Sequence, residues 1–246
     1  MKKFYSQKGQ DRWVIEEVSK GKRGGFFIDL AASDGISGNN TYALEKDYGW
    51  KGLCIEANEN LFQKLNKNRK CMCLNACIDK VKQQVRFLDN RDMSGIVDFD
   101  TDNKPNLIES KYFKLKEIRG RKINLKEVER LQYKIEIKMT LTLDEVLERF
   151  KVPKVIDFLS LDVEGAEERI LSTFPFKKWK FLSMVIERPT AGLNQLLFDN
   201  GYRFVRKSQA CNNFDFFYVH ESFKGIKNMQ MERFSEVDPL ESLRKK

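Results

Sequence analysis

Acidic residues end several short apolar runs of this sequence, and they are the residues best suited to chemistry. Asp29 lies in the first run, Glu56 ends the second, and Asp162 and Glu187 end two later runs. Carboxylates at such positions accept hydrogen bonds from ligand hydroxyls, take up a proton as general bases or coordinate a cation. The sequence has a single histidine, His220, so the carboxylates are the main candidates for acid–base chemistry.

Asp162 is the expected general base, because it ends a buried run next to the predicted ligand site and partial burial raises the pKa of a carboxyl group. Glu164 and Glu187 are expected either to orient the hydroxyls of a substrate or, with Asp162, to hold a divalent cation through oxygen ligands. His220 is kept as a second candidate base, although an ordinary surface histidine is the preferred interpretation.

Two further acids, Glu167 and Glu168, open a predicted helix just after Asp162. Negative charge at the amino terminus of a helix compensates the helix dipole, and this is the preferred interpretation of both residues. The same interpretation stays open for Glu164.

Small residues form the turn after the first apolar run, from Ala31 to Gly35. They let a ligand carboxylate or phosphate come close to backbone N–H groups. Glu56 follows Asp29 by 27 residues and ends the next run, where a carboxylate accepts hydrogen bonds from both hydroxyls of a ribose. In this order, the turn and Glu56 favour the binding of a nucleoside-containing ligand.

Alternating strands and helices are predicted to position these residues. Five apolar runs are typical of buried parallel strands, and two late runs predict a closing antiparallel pair. The runs lie near 26–31, 52–56, 72–78, 156–163, 180–187, 202–205 and 214–219. We therefore expect an α/β, Rossmann-like fold: a mostly parallel sheet with an antiparallel edge hairpin, helices on both faces and ligands at the carboxyl ends of the strands.

A single domain is expected over residues 1–246, because a chain of this length matches one large domain. The polar stretch at about 98–138 is interpreted as a basic insertion and 221–246 as a C-terminal tail. No apolar run reaches ~18 residues, so a membrane span is not expected. The first residues do not have the apolar segment of a signal peptide, so a signal peptide is not expected either. Five cysteines, an odd number, indicate a reducing, cytoplasmic compartment rather than a disulfide framework.

Five motif-bearing segments follow one another along the chain: Ser6–Asp11, Phe27–Gly35, Ser37–Glu45, Gly49–Asn58 and Asp157–Glu167. Together they resemble the FkbM-type S-adenosylmethionine-dependent methyltransferases. The resemblance implies a seven-stranded class I methyltransferase sheet, S-adenosylmethionine as cofactor and, commonly, O-methylation of sugar or polyketide hydroxyls. The expected acceptor is therefore a small molecule or a glycan.

The expected cofactor contacts combine the turn, the strand ends and the positions that match the family. They are Gln10, Asp29, Ala31, Ala32, Ser33, Asp34, Asn40, Glu56, Ala57, Ala76, Cys77, Asp79 and Asp162. Ala31 departs from the family, which usually has glycine in the turn nearest the methionine part of the cofactor. The resemblance places Asp79, or the backbone around residues 76–78, at the adenine amino group.

Three other functions stay open. Between Lys104 and Lys138, 11 Lys and Arg stand against 5 Glu; this excess suits an anionic acceptor or a nucleic-acid methyltransferase, although a solvated helical face explains it as well. Nucleic acid is not the preferred partner. A nicotinamide enzyme would need a G-x-G-x-x-G turn, which the sequence lacks. Ala31 lends weight to a non-catalytic nucleoside-binding module.

Overall fold

The structure, a computed structural model, describes residues 3–91, 93–106, 134–205, 214–226, 229 and 231–232. Its strands are β1 (Phe26–Leu30), β2 (Lys51–Glu56), β3 (Met72–Asn75), β4 (Cys77–Ile78), β5 (Gln84–Asp89), β6 (Gly95–Ile96), β7 (Lys134–Leu141), β8 (Val155–Leu161), β9 (Lys180–Glu187), β10 (Tyr202–Val205), β11 (Asp215–His220) and β12 (Met231–Glu232). Its helices are α1 (Gln10–Arg12), which continues as a π-helical segment (Trp13–Val18), α2 (Tyr42–Tyr48), α3 (Glu59–Asn68), α4 (Leu143–Arg149), α5 (Glu167–Ser172) and α6 (Ala191–Asp199). None of these described helices combines the length and the apolar character needed to cross a lipid bilayer.

The main sheet has eight strands in the order β12-β10-β11-β9-β8-β1-β2-β3. Neighbours from β9 to β3 pair in parallel, whereas β11, β10 and β12 join through antiparallel pairing. The expectation of a mostly parallel sheet of seven strands is therefore wrong. The sheet is mixed, because β11 and β12 run against the other strands. The predicted antiparallel pair is confirmed as β10 and β11.

A smaller sheet has the order β4-β7-β5-β6. The run near 72–78 predicted one strand, but the chain leaves the main sheet after Asn75 and continues as β4, which pairs with β7. Residues 107–133, most of the predicted insertion, lie outside the described residues. Of the predicted tail, the structure describes residues 221–226, 229 and 231–232.

Alternation along β1 sends side chains to the two faces of the main sheet. Ile28 and Leu30 pack into one apolar cluster with α4, α5 and α6, and Phe27 packs into a second with the π-helical segment, α2 and α3. All three side chains are buried, and burial of a side chain of this size contributes about 1.5–3 kcal/mol. Helices cover both faces of the sheet, as predicted.

Candidate functional site

A continuous cleft runs along the carboxyl ends of β2, β1 and β8. Three adjoining cavities form it: Ala31 and Glu56 line both the first and the second, and Asn40 and Asp162 line both the first and the third. We refer to its parts as the apolar end, the central turn and the acidic end. The apolar end includes Ala57, Ala76, Cys77, Phe87 and Ile96, the central turn includes Asp29, Ala31, Ala32, Ser33 and Glu56, and the acidic end includes Gln7, Gln10, Asp162, Glu187 and Asp215.

Glu56, at the end of β2, lies where the apolar end meets the central turn. It is buried, and one carboxylate oxygen accepts a hydrogen bond from the N–H of Ser33 (2.8 Å), the other from that of Asn58 (2.8 Å). Burial raises the pKa of Glu56 to about 7. Each carboxylate oxygen has more than one lone pair, so Glu56 retains the capacity to accept two ligand hydroxyls.

The central turn has a strained backbone. Ala31 has a φ of +58° and Ser33 a φ of +52°, a region that costs a residue with a side chain about 1–2 kcal/mol. Such strain persists only where the surrounding structure imposes it, and it concentrates at functional sites. Ala31 thus adopts a left-handed backbone conformation that glycine adopts without strain. The turn has this conformation with alanine at the position where the family usually has glycine.

Asp29 is buried beneath the central turn and supports it. Thr41 (2.7 Å) and Asn39 (2.9 Å) donate hydrogen bonds to its Oδ2, and burial raises the pKa of Asp29. Arg69 in turn donates hydrogen bonds to Asn39 and Thr41. Asp29 therefore holds the loop that contains Asn39 and Thr41, and Asn40 lies between these two residues.

Asn40 lines the cleft between the central turn and the acidic end. Its Nδ2 donates to the Ser160 hydroxyl on β8 at 3.0 Å. Its Oδ1 is buried and has no hydrogen-bond partner among the residues that the structure describes. A buried acceptor without a partner is destabilising, so this atom points to a ligand that donates an N–H or O–H group here.

Three carboxylates meet at the acidic end. Asp162, Glu167 and Glu187 have oxygen atoms that all lie within 4.8 Å of one another. Burial and the negative charge of Glu187 raise the pKa of Asp162, and burial raises that of Glu167 to about 8. The Glu167 side chain folds back from the start of α5 and accepts from the N–H of Val163 at 2.9 Å. Glu167 therefore lies beside Asp162 and Glu187, and its contact with backbone N–H at the start of α5 also agrees with the dipole-compensating interpretation.

Arg188 supplies positive charge beside these carboxylates. One of its guanidinium nitrogens lies 2.7 Å from Glu187, 2.7 Å from Asp102 and 3.3 Å from Glu164. Burial and the charge of Glu187 raise the pKa of Glu164 to about 7, although Arg188 acts in the opposite direction. The structure thus places Glu164 next to the acidic end but directed to Arg188.

Asp215 completes the acidic end from an antiparallel strand. It is the first residue of β11 and pairs in register with Glu187 on β9. Gln10 donates a hydrogen bond to it at 2.9 Å, and the neighbouring Gln7 also lines the cleft. The sequence pattern missed Asp215, because it singled out residues that end strands, whereas an antiparallel strand brings its first residue to the same edge of the sheet.

Asp79, which was predicted to contact adenine, does not line the cleft in the described part of the chain. It is fully buried, and Arg169 donates to both of its oxygens, at 3.0 and 2.8 Å. Burial opposes ionisation, but these bonds and one from Gln83 lower the pKa of Asp79. Ala76 and Cys77 line the apolar end instead.

Two other predicted residues also lie away from the cleft walls. Asp34 accepts hydrogen bonds from the N–H groups of Ile36 and Ser37 and therefore closes its own turn. His220 ends β11, and the reversed direction of that strand places it at the opposite edge of the sheet, with its ring against Tyr202. The structure thus does not bring His220 to the cleft, where a second base would act.

Comparison with known proteins gives a family match over most of the chain. The sequence profile of a family described as the methyltransferase FkbM domain matches residues 29–204. The matched region begins in β1 and ends in β10 and so contains Glu56, Asp162 and Glu187. No curated protein matches the chain significantly.

Proposed function

Because the chain belongs to the FkbM methyltransferase family, we propose that it transfers a methyl group from S-adenosylmethionine to a hydroxyl of a sugar, a glycan or a glycosylated small molecule. Family membership supports methyl transfer with this cofactor. The class of acceptor goes beyond what family membership supports. One observation carries the proposal: a single cleft joins Glu56 to the carboxylates around Asp162.

The groups along the cleft fit S-adenosylmethionine in the order of its parts. The apolar end, with Phe87 and Ile96, offers apolar surroundings for adenine. Glu56 would accept hydrogen bonds from both ribose hydroxyls. The Oδ1 of Asn40 would accept from the ammonium group of the methionine part, which satisfies its missing hydrogen bond. The acidic end then lies beyond the cofactor, where an acceptor would bind.

Asp162 is the general base in this proposal. The bound cofactor supplies a methyl group on a positively charged sulfur, which an acceptor oxygen must approach in line. A hydroxyl must also lose its proton as the new C–O bond forms. Because the pKa of Asp162 is raised, its carboxylate takes that proton more readily than an exposed aspartate would. Glu187 orients Asp162, and Arg188 balances the charge of Glu187.

The acidic end favours an uncharged, hydroxyl-rich group next to the reacting atom. Asp162, Glu187 and Asp215 line it, and carboxylates accept hydrogen bonds from sugar hydroxyls. Phe214 also lines it and is 53% exposed, so its ring offers an apolar face to a sugar. Phosphates would be repelled here, which counts against a nucleic acid. An anionic acceptor would need to carry its negative charge on a part of the molecule that lies outside the acidic end.

Calorimetric titration with S-adenosylmethionine and S-adenosylhomocysteine tests the cofactor, and we expect saturable binding of both. Release of S-adenosylhomocysteine, measured with panels of sugar nucleotides, oligosaccharides and capped RNA, tests the acceptor. Turnover is expected with the sugar panels alone. Turnover with RNA would favour the nucleic-acid alternative, and binding without any turnover would favour a non-catalytic module. Absence of cofactor binding at millimolar concentration would contradict the proposal.

A further inference from the structure

Two cysteine thiols are in contact within the apolar cluster that packs under α2 and α3. The Sγ atoms of Cys54 and Cys71 lie 3.6 Å apart. Cys54 is a fully buried residue of β2, and Cys71 directly precedes β3 and is partly exposed. Neither lines the three described cavities of the cleft. Cys73 lies opposite Cys54 in the register of β2 and β3.

Arg69 places a buried positive charge beside this pair. Its side chain is fully buried and pairs with Glu45, which also accepts a hydrogen bond from the N–H of Cys71 at 2.7 Å. Hydrogen bonding from Cys54 and the charge of Arg69 both lower the pKa of Cys71, whereas burial raises that of Cys54. The thiolate, the nucleophilic form of cysteine, is therefore favoured at Cys71 over Cys54.

A surface groove gives small oxidants access to Cys71. Cys71 lines this groove together with Tyr42 and Trp50, and the exposed Lys46 and Lys70 lie along it. Oxidation selects cysteines that combine thiolate character with exposure, and a neighbouring thiol then resolves the oxidised form. Cys71 meets the first requirement and contact with Cys54 supplies the second.

We propose that Cys71 and Cys54 form an oxidation site at which hydrogen peroxide produces a disulfide. The Cys71 sulfur attacks one peroxide oxygen, the O–O bond breaks, and after one proton is taken up the products are a sulfenic acid and a water molecule. The Cys54 sulfur then attacks the Cys71 sulfur. The S–O bond breaks, and hydroxide leaves with the Cys54 proton as a second water. Two thiols are oxidised, and one peroxide is reduced to two waters.

The oxidation site adjoins the loop that supports the cleft. Arg69 also donates hydrogen bonds to the carbonyl of Gly35 (3.2 Å), to Asn39 (3.0 Å) and to Thr41 (3.0 Å). Disulfide formation removes the negative charge of Cys71 from the surroundings of this guanidinium. The oxidation state of the pair is thus linked to the loop that carries Asn40.

The experiment treats the reduced, full-length protein with hydrogen peroxide, blocks the remaining thiols with N-ethylmaleimide under denaturing conditions and digests with trypsin without reduction. Cys54 falls in the tryptic peptide 52–64 and Cys71 in the peptide 71–80, which contains two other cysteines. We expect a joined pair of these peptides that dithiothreitol separates. Fragmentation by tandem mass spectrometry should place the link between Cys54 and Cys71.

Variants distinguish this site from general oxidation. Cys71→Ser should abolish the link, and Cys54→Ser should leave a sulfenic acid at Cys71 that dimedone traps. Because Cys54 is buried, Cys54→Ala is measured beside Cys54→Ser, so that a folding defect in one of these two variants leaves the test intact. Cys73→Ser is the matched control and should keep the link. A link to Cys73, sulfinic acid at Cys71 of the unmodified sequence, or no reaction would overturn the proposal.

Discussion

Asp162 and Glu187 face each other at the carboxyl ends of β8 and β9, one position beyond the paired residues Leu161 and Ile186. Oxygen atoms of their side chains lie within 4.8 Å of each other, and burial together with the negative charge of Glu187 raises the pKa of Asp162. The pair is a direct product of the parallel register of the two strands. It gives the acidic end a carboxyl group whose pKa is raised above that of an exposed aspartate, so its carboxylate is a stronger proton acceptor.

Asp162→Asn is expected to lower kcat by about 10²–10⁴-fold, the range for loss of a general base, while the affinity for S-adenosylhomocysteine changes far less. In the unmodified protein, the rate should rise with pH as Asp162 loses its proton, at a pH above the ordinary range of carboxylates because its pKa is raised. That rise should be absent from the variant. Asp47→Asn, on the exposed side of α2, is the matched control. An unchanged rate in Asp162→Asn would remove this residue from the role of base.

Glu56→Gln is expected to weaken binding of S-adenosylhomocysteine about 10- to 100-fold, because hydrogen bonds to a charged acceptor contribute about 1.5–3 kcal/mol. In the unmodified protein, binding should also weaken below about pH 7, where Glu56 becomes protonated. Calorimetric titration over a pH series measures both effects. Glu59→Gln, exposed at the start of α3, should leave the affinity unchanged. Equal affinities of the two variants would show that Glu56 does not contact the ligand.

The raised pKa of Glu56 also has a consequence for stability. The folded protein keeps this proton up to about pH 7, whereas the unfolded chain releases it near 4.5. The folded state therefore binds more protons between these values, and Glu56 lowers the free energy of unfolding as the pH rises through them, by up to ~3 kcal/mol. Urea unfolding over this range should show Glu56→Gln gaining stability relative to the unmodified protein. A constant difference would mean that Glu56 is already ionised at the lower pH.

Ala31→Gly is expected to raise the free energy of unfolding by about 1 kcal/mol, because glycine adopts a φ of +58° without strain. Ala32→Gly is the matched control at the next position, where the side chain is buried in an apolar cluster. It should lower the free energy of unfolding by about 1 kcal/mol. Urea unfolding measures both, and changes of the same sign would contradict the strain at Ala31.

Asp79→Asn is expected to destabilise the protein by about 3 kcal/mol, because it breaks the buried pair with Arg169. The affinity for S-adenosylhomocysteine should not change, since Asp79 does not line the cleft. Asp100→Asn removes a carboxylate from the same arginine, but Asp100 is largely exposed, so its loss should cost less than about 1 kcal/mol. A large loss of ligand affinity in Asp79→Asn would restore the predicted contact with adenine.

The sequence predicted those site residues whose positions follow from local pattern. Glu56 and Asp162 each end an apolar run, so strand period and chain order suffice to bring them to one edge of a parallel sheet. Asp215 was missed, and the position of Glu167 beside Asp162 was not predicted, because these places depend on strand direction and on a side chain that folds back from a helix. Neither property leaves a periodic signal in the sequence.

The fold, like the site, was predicted from the sequence only where local pattern determines it. The five apolar runs predicted the central strands, but the run near 72–78 gave no sign that its chain leaves the main sheet after Asn75. β12 has only two residues and is too short to form a pattern. The contact between Asp79 and Arg169 could not be predicted from local pattern, because the two residues lie 90 positions apart in the sequence.

The hydrogen bond between Gln10 and Asp215 joins residues 205 positions apart. During synthesis, Gln10 leaves the ribosome long before its partner exists, and contacts between such distant positions form slowly because a long loop must close first. A growing chain that has not yet reached β11 therefore lacks one wall of the acidic end, even if its central strands have already paired. For this reason, the acceptor-binding end of the cleft is completed late in the synthesis and folding of the chain.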